Sequence, residues 1–331
     1  MIVFDVPDGQ TVTDATPRSG ATEIVKRGLG TLVLNLANTH TGPTTIEAGT
    51  LRLAAANALA ASAVTVGSGG TLLIDPGLTM RSPSLMLAGG TLSAAGVTLL
   101  VNASTGIATF AIASGSVTGA PGLSVSGSGV VTLPTDRRQT VAVTTLAIDE
   151  AGGGRIDIGK GRIDVAVNGI TEAALRADLI AGRSTGVFNG TSGIMTTGGK
   201  ASPTSTNAAV GYRILANLSA IVAWAAYGDA NLDGQVNTSD ITLINNGQKF
   251  GKGGATGATW AQGDFNYSGG VTTTDITLYN NAQVFSKGSY LPVTPTGSAA
   301  TRTTATGDSL ALQAWAAYAS SLEPPRTVKR R

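Results

Sequence analysis

Two stretches place oxygen-bearing side chains at the spacing of a cation-binding loop. The first runs Asp229-x-Asn231-x-Asp233-Gly234-Gln235-Val236-Asn237-Thr238-Ser239-Asp240. Side-chain oxygens fall at loop positions 1, 3, 5, 9 and 12, Gly234 sits at position 6, and Gln235 offers its backbone carbonyl at position 7. Calcium is a hard cation that takes six to eight oxygens at about 2.3–2.6 Å, and a glycine at position 6 permits the sharp turn that lets them converge. Val236, at position 8, then points into the core. A second copy starts 35 residues later as Asp264-x-Asn266-x-Ser268-Gly269-Gly270-Val271-Thr272-Thr273-Thr274-Asp275. The predicted ligands are Asp229, Asn231, Asp233, Gln235, Asn237 and Asp240 in loop 1, with Asp264, Asn266, Ser268, Gly270, Thr272 and Asp275 in loop 2. Loop 1 carries three carboxylates and loop 2 two, so loop 2 is expected to hold calcium less tightly.

Each loop must be positioned by a helix that begins at its last ligand. Residues 228–250 and 263–285 share 14 of 23 positions, including Asp-Ile-Thr-Leu-x-Asn-Asn at Asp240 and Asp275. Ile241, Leu243 and Ile244, with Ile276, Leu278 and Tyr279, give the two helices apolar faces. Phe250 and Phe285 are expected to close the core between them, and Trp260 to anchor the packing rather than bind a ligand.

The aspartate at position 12, the duplicated loop-helix unit and the segments Tyr227-Gly-Asp-Ala-Asn-Leu-Asp-Gly and Trp260-Ala-Gln-Gly-Asp-Phe-Asn resemble a type I dockerin with tandem EF-hand loops over residues 228–285. The resemblance implies folding on calcium and docking onto a cohesin module through positions 10 and 11, here Thr238, Ser239, Thr273 and Thr274. The chain departs from the family downstream, where Asn245-Asn246, Asn280-Asn281 and the phenylalanines stand in place of basic and aliphatic contacts. Calcium that only staples the module, with no partner, is the alternative reading.

The other chemistries are poorly supplied. The chain has no Cys, which excludes thiolate ligands, disulfides and a cysteine nucleophile, and its single histidine, His40, reads as a stacking or hydrogen-bonding residue of a turn between strands. Between Gly28 and Leu133 the only acids are Glu47 and Asp75 and the only bases Arg52 and Arg81, too sparse for paired acid–base work. Gly154 to Lys160 has the outline of a phosphate loop, but Gly161 replaces the magnesium-holding hydroxyl and Arg155–Ile158 alternates like a strand.

Upstream, Gly-Thr-Leu begins at Gly30, Gly49, Gly70 and Gly90, at spacings of 19, 21 and 20 residues. A unit of this size cannot bury an apolar face alone, but coils stacked about 4.8 Å apart share one core. The expected fold class is mostly β: a right-handed parallel β-solenoid, then a small β-rich domain and a small α-helical calcium-loop module. The segment from Gly28 to Leu53 resembles the repeat of autotransporter-associated β-strand proteins, with Gly30-Thr31-Leu32, Asn38-Thr39, Thr41-Gly42, Thr44-Thr45-Ile46 and Gly49-Thr50-Leu51 as its core and His40 where that family has an aromatic. That resemblance implies an exported, passenger-like stalk.

The expected organisation is an edge or cap at 1–21, solenoid at 22–141, a β-rich domain at 142–227, the calcium module at 228–288 and a linker, helix and basic tail at 289–331. In the middle segment, Gly154–Asp157 and Gly161–Asp164 read as strands around a Gly159-Lys160-Gly161 turn, residues 171–181 as a helix capped by Thr171 and stopped at Gly182, Val210–Leu215 and Ala220–Tyr227 as strands, and Asn189–Asn207 as loop. In the tail, Asp308–Ser321 reads as a helix and Arg326, Lys329, Arg330 and Arg331 as a basic end.

A balance of 22 basic and 20 acidic residues creates no field to attract nucleic acid. No run reaches the roughly 18 apolar residues of a membrane span. The start Met1-Ile-Val-Phe-Asp shows no secretory signal, which implies unconventional export or one part of a longer chain. The expected role is noncatalytic and extracellular or at the cell surface: display or assembly, with a cohesin-like or other surface protein, or a second copy, as partner. The runner-up is a polysaccharide-binding or polysaccharide-degradation-associated protein, which an exposed aromatic strip or carboxylate cleft on the solenoid would favour.

Overall fold

The computed structural model describes residues 1–199, 209–252 and 257–292. Its strands are β1 (Ile2–Asp5), β2 (Thr11–Asp14), β3 (Ile24–Arg27), β4 (Thr31–Leu34), β5 (Thr44–Leu53), β6 (Val64–Ile74), β7 (Ser82–Ser93), β8 (Thr98–Asn102), β9 (Ile107–Thr118), β10 (Gly122–Ser126), β11 (Val130–Thr132), β12 (Thr140–Val143), β13 (Leu146–Ile148), β14 (Arg155–Asp157) and β15 (Arg162–Val165). Helix α1 (Glu172–Arg183) follows, then β16 (Gly193–Met195), β17 (Ala209–Ile214), β18 (Ala220–Ala225), α2 (Thr238–Gly247) and α3 (Thr273–Ala282). The protein is mostly β, and its body is a parallel β-solenoid.

One long sheet runs in the order β1-β3-β5-β6-β7-β9-β11-β14-β16, with β2 and β4 beside it, and β13-β10-β8 form a second stack. Register follows the alternation of side chains. Leu32, Leu51, Leu72, Leu92 and Val117 sit on successive rungs of one column, and the four leucines are fully buried. Thr31, Thr50, Thr71, Thr91 and Ser116 form the outward column beside them. The glycine of each triplet marks a close approach between coils: a Cβ at Gly90 would lie 2.4 Å from the carbonyl oxygen of Gly67. Lys26 is wholly buried, and its ammonium donates to the carbonyls of Arg27 (2.6 Å), Gly28 (2.7 Å) and Ala48 (3.1 Å). His40, also buried, bonds Thr44 Oγ1 through Nε2 at 3.1 Å.

The parallel stack begins before residue 22 and runs past residue 141. β1 pairs with β3, and Phe110, Val131, Ile156 and Ile194 continue a buried column through β9, β11, β14 and β16. The triplet period fades there because the later coils differ in length, while the inward aliphatic residues keep their register. β14 and β15 are the expected strands around the Gly159–Gly161 turn, but they enter different sheets. The stretch 189–207, expected to be loop, contains β16; three residues are too few to show a period. The linker, helix and basic tail expected beyond residue 292, and residues 200–207 of that loop, lie outside the described residues.

The stack ends in a cap. α1 has Thr171 at its N-cap, accepting from Ala174 N, and buries Leu175, Asp178, Leu179 and Gly182; Gly182 does not stop the helix, which runs on to Arg183, but packs against the sheet. It lies tightly on β16, where a Cβ at Gly182 would stand 1.7 Å from Ile194 O. β17 and β18 form an antiparallel pair that joins β15, so the chain leaves β18 at Ala225 directly into loop 1. Among the described residues no helix is long and apolar enough to cross a membrane.

Candidate metal centre

Loops 1 and 2 fold to the same hydrogen-bond pattern. In loop 1, Asp229 accepts from Asp233 N through Oδ1 (3.2 Å) and from Gly234 N through Oδ2 (2.9 Å). Asp240 closes the loop from the other end, accepting from Ala230 N (2.8 Å) and Asn231 N (3.1 Å) through Oδ1 and from Asn237 N (2.9 Å) through Oδ2. In loop 2, Asp264 accepts from Ser268 N and Gly269 N, both at 2.9 Å, and Asp275 from Phe265 N (3.0 Å), Asn266 N (3.1 Å) and Thr272 N (2.9 Å). Asn237 and Thr272 are the N-caps of α2 and α3, and Asp240 and Asp275 complete a capping box in each. Position 12 therefore both closes the loop and starts the helix.

All four of these carboxylates are fully buried. Burial pushes Asp229 up to about 6 against the pull of Tyr290 and the Gly234 amide, and burial also raises Asp240 and Asp264. Among the described residues no ion pair reaches Asp229 or Asp240. Two buried, unpaired carboxylates in one loop form an environment that a cation would relieve.

The other expected ligands are engaged within their own loops. Asn231 Oδ1 and Asp233 Oδ1 accept from Asp233 N and Gln235 N, and Asn231 Nδ2 donates to Asp233 Oδ2 at 2.9 Å. Asn237 Oδ1 accepts from Ser239 N, Asn266 Oδ1 from Ser268 N, and Ser268 Oγ donates to Gly270 O. Among the described residues no three His, Cys, Asp or Glu side chains converge as a metal-holding group. The carboxylates instead take the loop's own amides, and the other expected donors are amide, hydroxyl and carbonyl oxygens. That all-oxygen set fits a hard divalent cation and no soft one.

Short parallel bridges cross between the two halves. Val236 of loop 1 pairs with Phe285, and Val271 of loop 2 pairs with Phe250. Both valines are buried, Val236 as expected, but Phe250 is 56% and Phe285 40% exposed, so neither phenylalanine closes the core. Each backbone is held against the opposite loop while the ring faces outward. The core is built instead from Trp260, Phe265, Tyr227 and Tyr267, with Trp260 and Phe265 edge-to-face at 4.9 Å and Trp260 Nε1 donating to Asp229 O at 2.7 Å. Trp260 is thus the anchor that its position implied. Thr238, Ser239, Thr273 and Thr274 are exposed on the first turns of α2 and α3.

Residues 227–282 match the Dockerin type I domain. Residues 24–53, spanning β3 to β5, match the Passenger-associated-transport-repeat. Nothing among curated proteins or solved structures matches the chain. The dockerin-type module is not an isolated bead. Tyr267 stacks on Tyr212 of β17 at 5.9 Å, and its hydroxyl donates to Val210 O.

Two residues that bear on the site carry no local sequence signal. Tyr290 donates its hydroxyl to Asp229 Oδ2. Arg176, on α1, bonds Asp264 Oδ2 at 3.1 Å across 88 residues of sequence. Only the fold brings either one to its loop.

Proposed function

We propose that this chain is a noncatalytic extracellular or cell-surface assembly protein, in which the β-solenoid is a stalk and residues 228–288 are a calcium-stabilised docking module. The observation that carries the reading is the pair of loops with the same bonds, each burying carboxylates at positions 1 and 12 and exposing positions 10 and 11 on the next turn of helix. Calcium, held by Asp229, Asn231, Asp233, Asn237, Asp240 and the Gln235 carbonyl, and by Asp264, Asn266, Ser268, Thr272, Asp275 and the Gly270 carbonyl, would neutralise those carboxylates and tie each helix start to its loop. Thr238 and Ser239, or Thr273 and Thr274, would then meet a cohesin-like partner.

The solenoid surface supports a spacer over a sugar-processing role. Among the described residues the only aromatic rings more than a third exposed are Phe250 and Phe285, both in the module. The two acids between Gly28 and Leu133, Glu47 and Asp75, are bonded to Arg27 and Arg52, each at 2.7 Å.

The test is binding of the full chain to immobilised cohesin modules, with calcium and with EDTA, for the wild type and for the double variant Thr238→Arg, Thr273→Arg. Binding that needs calcium and is lost in the double variant supports the reading. A chain that takes up no calcium and keeps the same helicity in EDTA overturns it.

A further inference from the structure

The two loops differ in what holds the outer oxygen of their first aspartate. In loop 1, Asp229 Oδ2 takes the Gly234 amide and the neutral hydroxyl of Tyr290. In loop 2, the equivalent Asp264 Oδ2 takes the Gly269 amide and the guanidinium of Arg176. Arg176 comes from the solenoid cap and is fixed on every side: Nη1 donates to Ala258 O (2.9 Å) and Tyr212 Oη (3.3 Å), Nη2 to Tyr267 O (3.2 Å), and the cation lies 5.8 Å from the centre of the Tyr267 ring. Two of those acceptors, Asp264 and Tyr267, belong to loop 2 itself.

We propose that Arg176 is a built-in cation for loop 2, keeping it closed when calcium is scarce and lowering its affinity for calcium when the ion is present. This rests on the calcium reading of the module. A buried carboxylate needs an opposite charge, and Arg176 supplies one to Asp264 without a metal. Loop 1 has no such partner among the described residues, so its closure depends on the ion. With calcium bound, the guanidinium and the divalent ion would compete for one carboxylate and repel each other, which would weaken calcium binding by roughly tenfold or more. Arg176 is thus a positioning residue that also links loop 2 to the end of the solenoid. The two halves of the module are thereby divided into a calcium-dependent loop and a constitutively closed one.

Hydrogen–deuterium exchange on the full chain tests this, comparing peptides from residues 229–240 and 264–275 in excess calcium and in EDTA. The expected result for the wild type is that EDTA speeds exchange about tenfold or more in loop 1 and leaves loop 2 nearly unchanged. Arg176→Met makes loop 2 respond to EDTA as loop 1 does and tightens its calcium binding in calorimetry, while Arg176→Lys restores the wild-type pattern. Equal opening of both wild-type loops in EDTA overturns the proposal, as does an Arg176→Met loop 2 that stays closed. If Arg176→Met does not fold, the wild-type comparison decides alone. If EDTA changes neither loop, the calcium reading fails and this proposal falls with it, an outcome distinct from equal opening.

Discussion

Tyr290, eight residues beyond the end of α3, donates its hydroxyl to Asp229, the first residue of loop 1. The ring also packs edge-to-face on Trp224 of β18 at 5.5 Å, so one side chain joins the exit of the module to its entrance and to the cap. Tyr290→Phe keeps the ring and removes the donor. A buried acceptor left short of one hydrogen bond costs about 1–3 kcal/mol. The expected outcome is an unfolding free energy lowered by that amount in EDTA and by less in calcium, where the ion takes over part of the neutralisation. An equal loss under both conditions would show that the hydroxyl and the ion act independently.

Calorimetric titration of the full chain with calcium should resolve a stronger and a weaker site. Loop 1 offers three carboxylates; loop 2 offers two, one already bonded to Arg176. Asp275→Ala should therefore abolish the weaker event and leave the stronger. Loss of the stronger event in that variant, or two equal sites in the wild type, contradicts the assignment.

In the solenoid, Leu72 stands mid-column between Leu51 and Leu92. Leu72→Ala should destabilise the body by about 2–5 kcal/mol, since neighbouring coils cannot collapse into the gap without breaking register. Arg52→Ala, which removes an exposed ion pair with Asp75, should change stability by less than about 1 kcal/mol. Urea denaturation of the two variants side by side measures the contrast.

The cap carries a pH dependence of its own. Burial, together with a hydrogen bond and charge repulsion from Glu150, pushes Asp178 of α1 up to about 8. Its folded value thus lies above the unfolded one, so the folded state binds the extra proton. The stabilisation is complete below about pH 4 and is lost as pH rises through about 8, at up to about 1.4 kcal/mol per pH unit within that window. Thermal melts between pH 5 and 9 should show the wild type losing stability as pH rises, with Asp178→Asn flattening the slope. A wild type whose midpoint rises across that range sinks the prediction.

What was legible in the sequence was what is local. The loops could be found because every ligand lies within a 12-residue window, and the start of α1 because Thr171 sits beside the helix that it caps. The solenoid was legible because Gly-Thr-Leu recurs at four close approaches between its early coils. The later coils were not, because β14 and β16 are three residues each and their identity as rungs lies in pairing across the stack. Phe250 and Phe285 misled for a different reason. An apolar residue just after a helix reads as core from hydropathy, but here the backbone bridge decides which way the side chain faces. Arg176 was hidden because it meets Asp264 only once the solenoid has ended and the module has folded back onto it.

The reciprocal bridges Val236–Phe285 and Phe250–Val271 have a consequence for how such a unit can be inherited or trimmed. Each half completes a loop in the other, so neither repeat is a spare. Deleting the second copy strips the first of its closing bridge, and a lone half would have to find that contact in another chain. The duplication is thus a lock whose two parts were cut to fit each other, and losing either one undoes both.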